Sequence, residues 1–210
     1  MERFPRTATN IIVALTALAW VLTALAGYSE QAAYSLGFIP LRVTAPAHVS
    51  LVAVPAFLTP LTATLVHSGL VHLGFNLLMM VWCGAQVERV IGATGVIVLY
   101  LVGAYAAAAA QWGVDPMGSV PMVGASGAIS AVMGAFALSF GRAKAFTSNL
   151  RVNRWINVIW LLVAWVVLQM MMGWLAGGQG YLLATPAHVG GFAAGLLLQR
   201  PLLLWRYRKA

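Results

Sequence analysis

Long intervals without a charged residue are the feature that most constrains the fold of this chain. Only 8% of its 210 residues are charged, 61% are hydrophobic, and the mean hydropathy is +0.88. Soluble domains carry about 25% charged residues, so this chain could not cover a water-facing surface. An apolar interval of about 20 residues can cross a bilayer as a helix. We therefore predict an all-α, polytopic membrane protein whose solvent is the lipid bilayer.

Charge-free intervals delimit six predicted spans within a single membrane-embedded domain, residues 1–210. Pro46, Pro55 and Pro60 argue against a further span in the apolar stretch 28–60, where we expect short interfacial helices instead. The first interval follows two arginines, as in a signal peptide, but it is long enough to span, so we expect a retained helix. The predicted spans are residues 9–26, 62–84, 92–111, 121–140, 157–175 and 186–204.

Positive charge orients these spans. With the N-terminus inside, each of the 12 Lys and Arg residues except Arg42 falls on the inner side, as the positive-inside rule requires. A seventh span after Arg42 would move the basic cluster 142–154 outside. We expect both termini in the cytoplasm, the protein in the cell membrane, and the first residues of spans two, four and six at the outer face. The net charge of +8 is assigned to anionic lipid rather than to nucleic acid.

Polar side chains lie at the outer ends of those three spans. His67, His72 and Asn76 belong to span two, Ser126 to span four and His188 to span six. At 1.5 Å of rise per residue they lie at similar depths, and polar groups within a membrane indicate a functional site. The single cysteine and scattered acidic residues offer no metal constellation, so we expect neither a metal nor a cofactor.

Small residues should let spans four and six pack closely, and this would bring Ser126 near His188. A neutral histidine within hydrogen-bond reach can act as the general base for a serine nucleophile. Gly124 and Gly127 flank the serine and leave room for a substrate backbone. The acidic residues lie away from His188, which indicates a dyad. The small-residue stripes are Gly127, Ala131 and Ala135 in span four and Ala187, Gly191 and Gly195 in span six.

An attacking serine creates an oxyanion, which needs hydrogen-bond donors. His72 and Asn76 are four residues apart and therefore share one helix face. The backbone N–H of Ser126 is a further candidate. Glu88, at the inner end of span two, is expected to be a structural cap or ion-pair residue.

Three segments resemble motifs of the rhomboid intramembrane proteases. Residues 123–128 (VGASGA) are similar to the GxSG segment of that family, and residues 67–76 (HSGLVHLGFN) to its His-rich second helix with HxxxN. Residues 187–191 (AHVGG) are similar to its AHxxG segment. Their order and spacing agree from about Thr59 to Gln199. The resemblance implies a six-helix rhomboid fold.

The resemblance also implies roles and substrates. Substrates would be single-span membrane proteins, cut in or near the membrane and entering between spans two and five beneath a cap at about 177–185. Two positions depart from the family: Ser130 stands where some members carry a tyrosine beside the histidine, and Leu41-Arg42 is the nearest match to a Trp-Arg pair. The implied roles are Ser126 as nucleophile, His188 as base, His72, Asn76 and Gly124 around the oxyanion, and His67 as a structural residue.

Two other functions stay open at this point. An inactive rhomboid-like protein would bind membrane clients without cleaving them, and loss of the serine or histidine would mark it; both are present. A small transporter would use the polar layer as a pathway, and would be expected to carry polar groups at several depths. The inner halves of spans four and six are nearly bare of them. We therefore predict an intramembrane serine protease with a Ser–His dyad.

Overall fold

The chain folds as a bundle of helices in the computed structural model, which describes residues 7–46, 54–140, 146–175 and 184–208. Regular structure within these ranges is helical, which confirms the predicted all-α bundle, and one isolated bridge joins Phe38 to Met122. Residues 177–183 of the cap predicted at 177–185 lie outside the described residues. The same holds for Arg3, Arg6, Arg142, Lys144 and Lys209. The helices are α1 (Thr7–Leu25), α2 (Ser29–Leu36), α3 (Pro40–Thr44), α4 (Thr59–Thr62), α5 (Leu70–Met79), α6 (Ala85–Val114), α7 (Ser126–Phe140), α8 (Leu150–Leu175) and α9 (Thr185–Arg206), with short 3-10 turns at Ala56–Leu58 and Ala63–Leu65 and a π-helical turn at Met80–Gly84.

Among the described residues, three continuous helical stretches are long and apolar enough to cross a membrane: Thr7–Leu25, Leu70–Val114 and Leu150–Met171. The second stretch contains 45 residues. At 1.5 Å per residue it would measure about 68 Å, roughly twice the apolar thickness of a bilayer. Gly92 divides it, because its φ of 79° and ψ of 169° interrupt the helix. The stretch therefore supplies two arms, one on each side of Gly92.

Two helices begin later than the predicted spans. α5 begins at Leu70, after Gly69 in an extended conformation, whereas residues 62–65 belong to short helical turns. α7 begins at Ser126, two residues after Gly124, whose φ is 107°. Apolar composition continues across both starts, so charge-free intervals could not locate them. The late start of α7 places the free backbone N–H groups of a helix N-terminus at the serine itself.

α7 is the central helix, and residues 126–135 are all buried. Small residues make its contacts possible. A Cβ atom added to Gly195 of α9 would lie 2.9 Å from the Cα atom of Ala131, and one added to Gly127 would lie 2.6 Å from Ala107 of α6. These distances leave no room for a side chain. The predicted close packing of spans four and six is thus confirmed, and α6 joins them in the core.

α8 meets this core along one narrow stripe. Val158, Trp165 and Gln169 are buried, and their spacing of seven and four residues puts them on one helix face. The other faces are apolar and exposed, as at Trp160 and Val167. In a membrane those faces would contact lipid, so α8 is a peripheral helix held by its inner stripe.

A buried carboxylate ties α1 to the rest of the bundle. Glu88 accepts hydrogen bonds from the backbone N–H groups of Ala8 and Thr9, both at 3.0 Å, and from the Thr9 hydroxyl at 2.6 Å. Arg206 of α9 donates to the backbone carbonyls of Glu88 and Arg89. A negative charge at a helix N-terminus satisfies free donors and interacts favourably with the helix dipole. Glu88 is therefore the N-terminal cap of α1.

Replacing Glu88 with alanine should lower the free energy of unfolding by about 2–4 kcal/mol, because three donors lose a charged acceptor. We expect the thermal midpoint in detergent to fall by roughly 5–15 °C. Gln86→Ala is the control, since the Gln86 side chain donates only to the Trp82 carbonyl one turn earlier, in the adjoining π-helical turn. Equal midpoints for the two variants would show that the cap does not stabilise the bundle.

Candidate active site

Ser126 is the first residue of α7, and the backbone of the two residues before it is held by hydrogen bonds to residues 63 and 67. The N–H of Gly124 donates to the carbonyl of Ala63 at 2.9 Å, and the N–H of Ala125 donates to Nε2 of His67 at 3.4 Å. The left-handed φ of Gly124, 107°, turns the chain into the helix. These contacts determine where the serine side chain points.

His188 lies in the first turn of α9 and contacts the serine. Ser126 Oγ and His188 Nε2 are 2.9 Å apart, and the two residues are 8% and 5% exposed. Nδ1 of His188 is buried and has no hydrogen-bond partner among the described residues. The structure thus brings together the predicted nucleophile and base, from helices that meet at their N-terminal ends. A hydroxyl and an imidazole at this distance can exchange a proton.

His72 and Gly124 form a second contact beside the serine. A Cβ atom added to Gly124 would lie 2.6 Å from both Cε1 and Nε2 of the His72 ring, so the glycine lets the ring approach the backbone. Ser68 Oγ lies 3.1 Å from Nδ1 of His72 at the other edge of the ring. The imidazole of His72 is therefore held next to Gly124, two residues before Ser126.

Asn76 is fully buried one turn after His72. Its Nδ2 atom donates to the His72 carbonyl at 2.9 Å, and its Oδ1 atom has no partner in the part of the chain that the structure describes. A carbonyl can only accept, so this contact assigns the nitrogen to that side of the amide. The second N–H of the amide is available to another acceptor.

His67 contacts both halves of this cluster. Besides accepting the Ala125 N–H, its ring packs edge-on against the ring of His72, with centroids 4.9 Å apart. His67 lies three residues before α5, which begins at Leu70. Its contacts join the backbone of the serine segment to the His72 ring.

Two contacts at the site were not predicted. Gln169 of α8 lies with its Nε2 atom 3.4 Å from Nε2 of His188. Trp165 Nε1 donates to Ser130 Oγ at 2.7 Å, and this hydroxyl donates to the Ser126 carbonyl, also at 2.7 Å. The sequence could have indicated Gln169 as a candidate site residue, because it is a polar residue within an apolar span and polar groups within a membrane indicate function. Its partner could not be read from the sequence.

Comparison with known proteins assigns the family. Residues 55–205 match the Rhomboid domain family, and this range includes all of the candidate side chains. This chain belongs to the rhomboid family. The resemblance that the three motifs indicated is confirmed, and the rhomboid chain is an integral membrane protein.

Several relatives carry protease names. The rhomboid chain is 31% identical over 137 residues to Rhomboid-type serine protease 2 of Emericella nidulans, an alignment covering 63% of this chain and 24% of that protein. It is 30% identical over 184 residues to Rhomboid-related protein 3 of Homo sapiens, covering 78% and 42%. It is 32% identical over 136 residues to Rhomboid protease GlpG of Yersinia pestis, covering 63% and 43%. The matches span less than half the length of these relatives and support an intramembrane protease at the level of the family.

Proposed function

We propose that this chain is an intramembrane serine endopeptidase that cleaves membrane proteins in or near their transmembrane segments. The observation that carries the proposal is the 2.9 Å contact between Ser126 Oγ and His188 Nε2 in a buried site. A serine in a membrane helix commonly bonds back to its own backbone. Here the hydroxyl contacts an imidazole from another helix instead, which is the arrangement that an activated serine needs.

Ser126 is the nucleophile in this mechanism and His188 is the general base. As Oγ attacks the carbonyl carbon of the scissile peptide bond, its proton passes to Nε2 of His188. The same proton then moves to the leaving amine while the C–N bond breaks and an ester remains on the serine. Water attacks the ester with His188 again as base, releasing the carboxylate product and restoring the hydroxyl. Two side chains therefore suffice for the proton transfers.

The oxyanion of the tetrahedral intermediate would be stabilised from α5 and from the start of α7. His72 is held beside Gly124, and Asn76 keeps one amide N–H for a further acceptor. The backbone N–H of Ser126 lies at a helix N-terminus and supplies a third donor. His67 and Gly127 have structural roles: His67 holds the Ala125 N–H, and Gly127 admits α6.

The lipid bilayer and transmembrane proteins are the proposed partners. The helices around the site present exposed apolar faces that are suited to lipid, and the proposed substrate approaches the site laterally from the bilayer. We place both termini in the cytoplasm of a cell-membrane protein, with the site toward the outer face, because of the positive-inside rule. A fluorescent protein fused to the C-terminus, which folds only on the cytoplasmic side, tests this orientation.

The function is tested with the purified wild-type chain in detergent and in vesicles. A fluorophosphonate should label Ser126, mapped by mass spectrometry, and a single-span substrate should be cut in or near its span. If the protein binds such substrates but is neither labelled nor able to cleave them, the result would support an inactive client-binding protein. Vesicle transport of a solute without cleavage would support a transporter.

Asn76→Ala should lower kcat for the single-span substrate about 10²-fold, because one oxyanion donor is lost. Asn153→Ala is the matched control, since Asn153 is equally buried but bonds Thr147, at the far end of α8 from the cluster. Both variants lose a buried amide, so both should lose stability. Only Asn76→Ala should lower kcat per folded molecule, because only Asn76 lies at the proposed site. Unchanged turnover in Asn76→Ala would remove this residue from the mechanism.

A further inference from the structure

Gln169 is a buried amide in an otherwise apolar stretch of α8. It is 6% exposed, and its Nε2 atom lies 3.4 Å from Nε2 of His188. A buried amide costs free energy unless it has hydrogen-bond partners, and the cost is greater in an apolar environment. The side chain shares the inner stripe of α8 with Val158 and Trp165. Its polar end therefore points at the proposed catalytic base.

Apart from Gln169, the hydrogen bonds of the His188 ring in the described part of the chain involve only one of its two nitrogens. Ser126 Oγ contacts Nε2, whereas Nδ1 has no hydrogen-bond partner among the residues that the structure describes. Ser130, one turn after the nucleophile, does not serve the ring, because its hydroxyl bonds Trp165 and the Ser126 carbonyl. Within the described chain, Gln169 is the side chain besides Ser126 that hydrogen-bonds the imidazole.

We propose that Gln169 is a positioning residue that orients His188 for proton transfer; this inference rests on the proposed function. With the ring proton on Nδ1, Nε2 is the acceptor in the resting site, and both Ser126 Oγ at 2.9 Å and Gln169 Nε2 at 3.4 Å lie within hydrogen-bond distance of it. Once the serine proton has moved to Nε2, the carboxamide oxygen can accept that N–H after rotation of the amide group. The imidazolium is thereby held in place until the proton passes to the leaving amine.

A second contact fixes the distance between Gln169 and the dyad. Trp165, one turn earlier on α8, donates to Ser130, which donates to the carbonyl of Ser126, and both distances are 2.7 Å. The Trp165 ring also stacks on Phe75 of α5, with centroids 5.8 Å apart. α8 is thus anchored to the backbone of the nucleophile, and the same helix presents the amide to the base. A shift of α8 would disturb both members of the pair.

The test compares Gln169→Met with Gln199→Met. The first change keeps the length of the side chain but removes its hydrogen-bonding groups. The second removes an interhelical amide contact of α9, from Gln199 to Ser139 at 3.1 Å, in the other half of the bundle. We expect Gln169→Met to lower the fluorophosphonate labelling rate and kcat about 10-fold, with KM within about twofold of wild type. Gln199→Met should keep all three values near wild type.

The outcomes separate this inference from the proposed function. Wild-type labelling rate and kcat in Gln169→Met and also in Gln169→Leu would overturn the inference while leaving the protease intact. A fall in labelling rate matched by Gln199→Met, or a rise in KM at constant kcat, would also overturn it, since either indicates general loosening or weaker substrate binding. Failure of the wild-type chain to label or cleave would overturn the proposed function, and the inference with it.

Discussion

Ser126→Ala is expected to abolish fluorophosphonate labelling and to lower substrate cleavage about 10⁴-fold or more, which in most assays is the background rate. The Oγ atom of Ser126 forms the ester bond, so no other side chain at the site can take over its role. His188→Ala should cause a loss of the same order, because without the base the hydroxyl keeps its proton. Combining the two changes should add little to either one, since the two residues act as a unit.

The matched control for this experiment is Ser139→Ala. Ser139 also lies on α7 and also contacts α9, where its hydroxyl accepts a hydrogen bond from Gln199. It therefore reports what the loss of one serine hydroxyl between these helices does to the fold. We expect Ser139→Ala to label and cleave like wild type, and the thermal midpoints of the two serine variants to be similar. Residual labelling of Ser126→Ala at the wild-type rate would refute the assignment of the nucleophile.

The fold could be predicted from charge spacing because a bilayer imposes one simple requirement. Every stretch that crosses it must be long, apolar and internally hydrogen-bonded. What this requirement does not specify is where a helix begins within an apolar stretch. α5 starts at Leu70 and α7 at Ser126 because of the conformations at Gly69 and Gly124, and neither residue changes the hydropathy of its surroundings.

The residues of the candidate site that could be predicted from the sequence are those with reactive or hydrogen-bonding side chains. Ser126, His188 and the HxxxN pair stood out because polar groups are scarce in this sequence. The contact of Gln169 with His188 did not, because it depends on the rotation of α8 about its axis. α8 is apolar on nearly every face, so hydrophobic periodicity gives no inward direction. Its orientation is defined instead by tertiary contacts such as the hydrogen bond from Trp165 to Ser130, which joins residues 35 positions apart.

Apart from loss of Ser126 or His188, we expect the largest fall in rate from adding one methyl group at Gly124. Its φ of 107° is a conformation that side chains disfavour. A methyl group there would also lie 2.6 Å from two atoms of the His72 ring. To relieve that overlap, either the ring or the backbone leading to Ser126 must move. Both belong to the proposed site, and a displacement of about 1 Å can cost 10²-fold in rate.

Gly124→Ala should therefore lower kcat about 10³-fold, as misplacement of the serine adds to the loss of an oxyanion donor. Gly27→Ala is the matched control, because Gly27 also has a positive φ, 69°, but an added Cβ there meets nothing within 4 Å. Both variants carry backbone strain of about 1–3 kcal/mol. The overlap with the His72 ring adds to the loss of thermal stability in Gly124→Ala alone, and only this variant should lose rate per folded molecule. If folded Gly124→Ala cleaves the single-span substrate as fast as Gly27→Ala, His72 does not act at the oxyanion and the close approach of its ring is incidental.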